Sequence, residues 1–519
     1  MNAPYDVVII GGGHNALVAA AYLGRAGRRV IVLERLEHFG GAAVSERPWA
    51  GVDARLSRYS YLVSLLPRRI IDDLGLHLDL RRRRYSSYTP DPADPRRGIL
   101  VDNGDAAATA ASFLRTTGDA REAERFGAFY ERLLPLAGAL FPTVTEPLRR
   151  ESDVRADIRD TELWDAVARR PLDGLLRDSF ASDLTRGIAL TDGLIGTFAA
   201  SDDPSLSQNR CFLYHVIGGG TGDWDVPVGG MGQVSGALER AARAAGAELR
   251  AGATVTSVSP DGEVTLEDGT VVAGRLVLSG VGPAVLDRLL GAPGADGGPE
   301  GAQVKVNMLL SRLPRLRDDR VAPEAAFAGT FHINETMTQL DAAHAAASAG
   351  HVPDPLPAEI YCHSLTDPSI LSAELRAAGA QTLTLFGLQV PHRLVAGADA
   401  DAVRAELIAA AQRSLDSVLA EPIADCLYEA PDGTPCIEAR TTGDLERSLA
   451  MAGGDIFHGA LSWPWAGDDD ALDTPAQRWG VETAHERILV CGSGARRGGA
   501  VSGIGGHNAA MAALELLER

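Results

Sequence analysis

Lysine is almost absent from this chain. Among 49 lysines and arginines, only Lys305 is a lysine. A chain that uses arginine wherever a generic positive charge suffices keeps a lysine where ammonium chemistry or compactness is required, because the two side chains are not equivalent. Cysteine is also scarce. The five residues Cys211, Cys362, Cys426, Cys436 and Cys491 are scattered, odd in number, and form no CxxC or CxxxxC pair. This argues against a disulfide framework and a dithiol redox enzyme, and fits a reducing cytoplasm. No apolar run approaches the roughly 18 residues of a membrane span. The first run, Val7 to Ile10, leads straight into glycines and reads as a strand instead of a secretory signal. Peripheral membrane contact stays open. Positive charge is in deficit, 49 basic against 69 acidic residues for a net charge of −20. Phosphate repels such a chain, so nucleic acid is a poor partner.

What is present begins almost at the N-terminus. Tyr5 to Ile10 reads as a buried strand, followed by Gly11-Gly12-Gly13-His14-Asn15-Ala16 and an alanine-rich helix to about Gly27. Arg29 to Leu33 is a second strand with Glu34 at its end. Gly11-x-Gly13-x-x-Ala16 lets the backbone approach a pyrophosphate, and the helix N-terminus, with His14 and Asn15 in its first turn, offers unpaired N–H groups. Glu34 accepts hydrogen bonds from both ribose hydroxyls and disfavours a 2′-phosphate. The adenosine is therefore that of NAD or FAD.

Two further glycine blocks favour FAD. Arg35 is followed by Gly40-Gly41-Ala42-Ala43. A nicotinamide enzyme has no need of this second pair, whereas a longer cofactor must pass close to the backbone there. Near the C-terminus, the strand Arg487 to Cys491 ends in Gly492-Ser493-Gly494, and Gly498-Gly499-Ala500-Val501-Ser502-Gly503 follows. Ser493 and its neighbours suit a ribityl chain. A helix beginning about Val501 would aim its positive end at the flavin carbonyl edge, where negative charge grows on reduction.

The chain of 519 residues is too long for one simple core and predicts two interleaved lobes. Trp224 to Leu278 is regular α/β, with a helix over Gln233 to Ala245. Helical patterns fill Ala120 to Leu140 and Leu175 to Asp192, and Gln303 to Ser311 reads as a strand. The four-arginine run Arg81 to Arg84 reads as a solvated face with its stems packed on apolar surface, and contact with an anionic surface or phosphate is the alternative. His215 and Trp224 flank a glycine loop and are lid or pocket candidates. Trp463 and Trp465 serve either the core or a substrate wall.

The stretches VVIIGGGHNALVAAAYL, LERLEHFGGAAVSE, SRYSYLVSLL, VPVGGMGQVSGAL, TLEDGTVVAGRLVLS, GGDIFHGALS and VCGSGARRGGAVSGIGGHNAA span Val7 to Ala510. Together they resemble the phytoene-desaturase superfamily of FAD-dependent oxidoreductases, and within it the pyridine nucleotide-disulphide oxidoreductase domain-containing branch, which lacks the redox disulfide. The resemblance implies an α/β fold: a glutathione-reductase-like FAD-binding Rossmann domain with a discontinuous α+β substrate lobe. The FAD domain takes residues 1–70, 223–295 and 480–519, and the substrate lobe takes 71–222 and 296–479. Carried over residue by residue, the FAD role falls on Gly11, Gly13, Ala16, Glu34, Arg35, Gly41, Ala42, Gly492 and Val501, and on Val255 for the adenine. His458 lies in a matched motif and reads as a structural hydrogen-bonding residue.

Ala16 stands where a third glycine is usual, and Arg496-Arg497 stands where a His-Pro pair is common beside the flavin. The arginines argue against a purely hydrocarbon substrate and are candidates for binding an anionic or carbonyl group. Lys305 looks similar in placement to the lysine that flavin amine oxidases, related in fold, join through a water to the flavin N5. The expected activity is removal of a hydride and a proton from a small organic molecule, with electrons passed to oxygen or a quinone. A flavin-dependent isomerase or saturase of an isoprenoid-like substrate, and a non-catalytic flavin-bound interaction protein, are the alternatives.

Overall fold

In the computed structural model, the described residues are 5–292, 298–397 and 399–518. The expected lobe boundary at 295 and the chain ends 1 and 519 lie outside them. Consecutive buried residues from Val7 to Ile10 make β1 (Tyr5–Ile10) a strand covered on both faces. The helix α1 (His14–Arg25) and β2 (Val30–Leu33) complete the βαβ unit. The chain then leaves to form β3 (Tyr85–Pro90) and β4 (Gly98–Asp102) of a different sheet. A run of helices follows, including Glu122–Leu140, Asp183–Thr191 and Ser207–Ile217.

The chain returns with α2 (Met231–Ala244), β5 (Glu248–Arg250), β6 (Val255–Val258), β7 (Glu263–Leu266) and β8 (Val271–Ser279). Next come β9 (Gln303–Leu310), β10 (Thr330–Ile333), β11 (Ala358–Tyr361), β12 (Gln381–Leu388) and β13 (Ile437–Arg440). The chain closes with β14 (Ile488–Val490) and α3 (Ile504–Leu517).

Two seven-stranded sheets result. The first has the order β6–β7–β8–β1–β2–β5, with β14 also beside β8. Its β14, β8, β1, β2 and β5 run parallel. The carboxyl ends of β1 and β2 therefore face the same way, and a ligand binds outside such an edge. The second sheet has the order β13–β9–β12–β11–β10–β3–β4. β9 is buried along its whole length. Val304, Val306 and Met308 share a core with Leu407, Ala411 and Leu415 of the helix Ala400–Val418. The alternation of a strand leaves Gln303, Lys305 and Asn307 on its other face.

Glycine sets the approach of α3 to α1. A Cβ on Gly506 would fall 1.9 Å from the Asn15 carbonyl oxygen, so no larger residue permits this crossing. Ala16, standing where a third glycine was usual, is accommodated because position 280 is glycine: a Cβ there would come within 3.2 Å of the Ala16 methyl.

Candidate functional site

One cavity of about 1090 Å³ runs from the carboxyl edge of the first sheet to one face of the second. Its first end is the β1–α1 turn. Gly13 caps α1 with no side-chain hydrogen bond, so the first N–H groups of the helix are left for a ligand. A Cβ built on Gly13, which lines the cavity, would meet no protein atom within 4 Å. Asn15 also lines the cavity, and its buried Oδ1 has no partner among the described residues.

The Glu34 carboxylate is held at the end of β2 by two backbone donors, Gly12 N at 2.6 Å and Leu36 N at 2.8 Å. Each oxygen keeps a lone pair for a further donor. The Gly40-Gly41 turn folds onto this loop. Gly40 donates its N–H to the Gly12 carbonyl at 2.8 Å, and a Cβ on Gly41 would sit 3.2 Å from the Gly13 Cα. From the C-terminal block, His14 Nε2 meets the Ala500 carbonyl at 3.1 Å. Burial pushes the His14 imidazole down to about 4.

Gly11, Gly13, His14, Asn15, Ala16, Glu34, Arg35, Gly41, Ala42, Val255, Gly492, Ser493 and Val501 all line this cavity. Ala43 is the exception: it is buried behind the wall and hydrogen-bonds the Gly40 carbonyl. The closing helix starts at Ile504, three residues later than expected, because Gly503 takes a φ of +71° and Ser502 Oγ accepts from Ile504 N. Val501 therefore lies in the loop ahead of the helix.

The second sheet supplies the opposite wall. Arg440, Lys305, Phe386, Glu359 and His332 are directly paired neighbours on β13, β9, β12, β11 and β10. Directly opposed residues point to one face, and all five line the cavity. Lys305 donates from Nζ to the Ser57 carbonyl at 2.5 Å and the Tyr59 carbonyl at 2.8 Å, and sits 4.5 Å from the Tyr61 ring centroid. Burial holds its ammonium well below the usual lysine range, and nearby Glu438 opposes that shift only in part.

Next to Lys305, Tyr61 and Tyr361 pack with centroids 4.8 Å apart, and the Arg83 guanidinium lies 5.6 Å from the Tyr361 ring. Tyr361 donates its hydroxyl to Glu359 at 2.5 Å. Burial raises the Glu359 carboxyl to about 8. Behind it, His332 Nδ1 and Thr191 Oγ1 both meet Glu335 Oε2, at 2.6 and 2.7 Å. Burial disfavours the charged imidazole of His332, but the Glu335 carboxylate outweighs it, so the His332 pKa is raised.

Several expectations change here. Neither Arg496 nor Arg497 lines the cavity. Arg497 is 2% exposed and donates from Nη1 to the Thr143 and Glu146 carbonyls, each at 2.9 Å, while Arg496 pairs with Asp470 at 3.3 Å. Backbone carbonyls thus draw the Arg497 guanidinium away from the cavity. The run Arg81 to Arg84 is not uniformly solvated. Arg81, Arg82 and Arg84 are exposed and pair with aspartates, but Arg83 faces the cavity. His458 lines the cavity too, and its buried Nδ1 has no partner among the described residues, so no structural hydrogen bond holds that atom. Trp465 stacks between Trp463 and Trp164, outside the cavity wall. His215 and Trp224 stack at 5.2 Å and do line it. Sequence reasoning did not single out Asp192, His332, Glu359 or Tyr361. For His332, Glu359 and Tyr361 the only sequence signal was polar residues at alternate positions in otherwise apolar strands, and Asp192 follows the last turn of the helix Asp183–Thr191.

These features define an α/β protein with a dinucleotide-binding Rossmann sheet and a second sheet that closes over a shared cavity. Residues 9–67 match the NAD(P)-binding Rossmann-like domain. The chain is 57% identical to an uncharacterised protein of Mycobacterium tuberculosis, over 99% of this chain and 97% of that one. It is 31% identical to pyridine nucleotide-disulfide oxidoreductase domain-containing protein 2 of Rattus norvegicus, over 98% of this chain and 92% of the relative. Cyclohexylamine oxidase from Brevibacterium oxydans shares the fold, with a TM-score of 0.56 at 15% identity over 99% of both chains. The chain belongs to the family of pyridine nucleotide-disulfide oxidoreductase domain-containing protein 2. All five of its cysteines are buried and unpaired, so the disulfide in the family's name has no counterpart here. No helix among the described residues is long and apolar enough to cross a membrane.

Proposed function

We propose that this protein is an FAD-dependent oxidoreductase that takes a hydride and a proton from a small, polar or anionic organic substrate and passes the electrons to oxygen or a quinone. The observation that carries this reading is the single cavity joining the β1–α1 turn, the Gly41-Ala42 turn and the Gly492–Val501 block to the Lys305 face of the second sheet. The residues fit the cofactor. Glu34 would hold the adenosine ribose, and Val255 would pack on the adenine. The free N–H groups of α1 and the Asn15 side chain would face the pyrophosphate. Gly492, Ser493 and Val501 would flank the flavin half. Bound there, FAD supplies the two-electron chemistry that no side chain possesses.

The chain's own residues do the rest. Phe386, Tyr61 and Tyr361 exclude water. Lys305, whose charged form burial disfavours, is suited to orient a water and accept or return its proton beside the reacting atoms. Residues 1–70, 223–295 and 480–519 form the cofactor domain in this reading, and 71–222 and 296–479 the substrate lobe. Membership of the two sheets supports that division. The five unpaired thiols support a cytoplasmic setting.

Anaerobic mixing with a panel of monocarboxylates, amines and alcohols tests the activity. At least one class should bleach the flavin absorbance, and admitting oxygen or a quinone should restore it. A flavoprotein bleached by light but by no member of a broad substrate panel would instead be a non-catalytic flavin-bound protein.

A further inference from the structure

Arg82 and Arg83 both line the cavity, but Arg82 is exposed and paired with aspartates, and Arg83 is the half-buried member of its run. A guanidinium has five N–H donors in a fixed fork. Here a single side-chain bond is made, from Nη1 to Thr330 Oγ1 at 3.1 Å. Among the described residues Arg83 forms no ion pair, whereas Arg81, Arg82 and Arg84 each pair with an aspartate. Its neighbour Arg82 takes up Asp223 and Asp225, at 2.6 and 3.1 Å. A cation left in a cavity without a counter-charge is costly unless a ligand supplies one.

The acids nearby do not supply it. Glu335 is fully buried and engaged by His332 and Thr191. Glu359 accepts from Tyr361, and burial raises its carboxyl to about 8; burial also raises the Asp192 carboxyl. The His332–Glu335 pair balances itself. Arg83 is therefore left without a carboxylate in ion-pair contact at this end of the cavity. Between it and Lys305 stand the Tyr61 and Tyr361 rings, in steps of 4.5, 4.8 and 5.6 Å from Nζ to ring, ring to ring and ring to guanidinium. A ligand lying along them meets aromatic surface with a lone cation at one end.

We infer that Arg83 anchors the substrate, and that the substrate is a monocarboxylate with an apolar body. A guanidinium with no ion-pair partner matches an anionic group, and its fork matches one carboxylate in bidentate fashion. Tyr361 and Thr330 add neutral hydroxyls beside it. This rests on the reading of the cavity as cofactor and substrate site, and it assigns the oxidised molecule a class.

The test is titration calorimetry of the purified protein with octanoate, octylamine, 1-octanol and octyl phosphate. It is repeated on Arg83→Met and Arg83→Lys, with FAD content and circular dichroism recorded for each. Octanoate should bind wild type at least about 10-fold more tightly than the other three probes. Arg83→Met should lose about 10-fold or more of that affinity, the scale of a hydrogen bond to a charged partner. Arg83→Lys should recover part of it, because a point charge remains but the fork is lost. Folded Arg83→Met that binds octanoate as wild type does, or a wild type that prefers octylamine, overturns the inference. FAD content separates the two claims. Arg83-dependent octanoate binding by a protein without FAD would leave the carboxylate site standing and remove the flavin reading. A flavoprotein indifferent to octanoate would do the reverse.

Discussion

Replacing Glu34 with alanine is expected to strip the protein of its dinucleotide. The Glu34 carboxylate is fixed by the Gly12 and Leu36 amides at 2.6 and 2.8 Å, so it meets a ribose already oriented. Glu34→Ala removes two charge-assisted ribose hydrogen bonds and leaves two amides without their acceptor. The combined loss is about 2–4 kcal/mol, a weakening of about 30- to 1,000-fold in affinity. Dialysis followed by absorbance of the FAD released on denaturation reads the effect directly. Wild type should retain the cofactor, and Glu34→Ala should emerge largely empty while still folded by circular dichroism. Equal retention by the two proteins would mean that Glu34 is not the ribose ligand.

Lys305→Met should produce two separable effects. The first is structural. Nζ is the donor that satisfies the Ser57 and Tyr59 carbonyls, tying the segment before Tyr61 to β9. Losing both bonds costs about 2–4 kcal/mol, because buried carbonyls are left without a donor, and urea unfolding should show the fall. The second is catalytic. With FAD content matched to wild type, stopped-flow measurement should show flavin reduction or reoxidation by oxygen slowed at least about 100-fold, the lower end of what a lost proton-transfer group removes. Lys305→Arg should not restore the rate, since arginine stays charged where burial favours the deprotonated lysine, and so cannot exchange a proton. If both variants keep FAD and match wild type in both half-reactions, Lys305 serves only the fold.

The part of the site written in contiguous residues was legible in the sequence. The β1–α1–β2 unit follows from an apolar run, three glycines, an alanine-rich helix and a terminal acid, and every one of those signals is local. Lys305 was legible because a lone lysine in an apolar strand has no generic explanation. The wall opposite was not. Arg440, Lys305, Phe386, Glu359 and His332 lie side by side only because five strands pair across more than a hundred residues, and no short-range pattern records that register. Arg83 was hidden for a related reason. In an arginine run, composition says surface, and only the path of the chain into β3 turns one member inward. Arg496 and Arg497 failed the other way. Their place in a glycine-rich loop suggested access to the cofactor, but the partners of Arg497, the carbonyls of Thr143 and Glu146, lie about 350 residues away in sequence.

The proposed site holds a flavin dinucleotide in one cavity between the β1–α1 turn and the Lys305 face. It is tested most directly by the cofactor that purified protein carries, read by its visible spectrum and by chromatography of what heat denaturation releases. The account predicts a yellow protein with the absorbance of oxidised flavin, releasing FAD at about one per chain, as expected for a single dinucleotide fingerprint. A protein that carries or reconstitutes with NAD, or that takes up no dinucleotide when FAD is supplied, would contradict it.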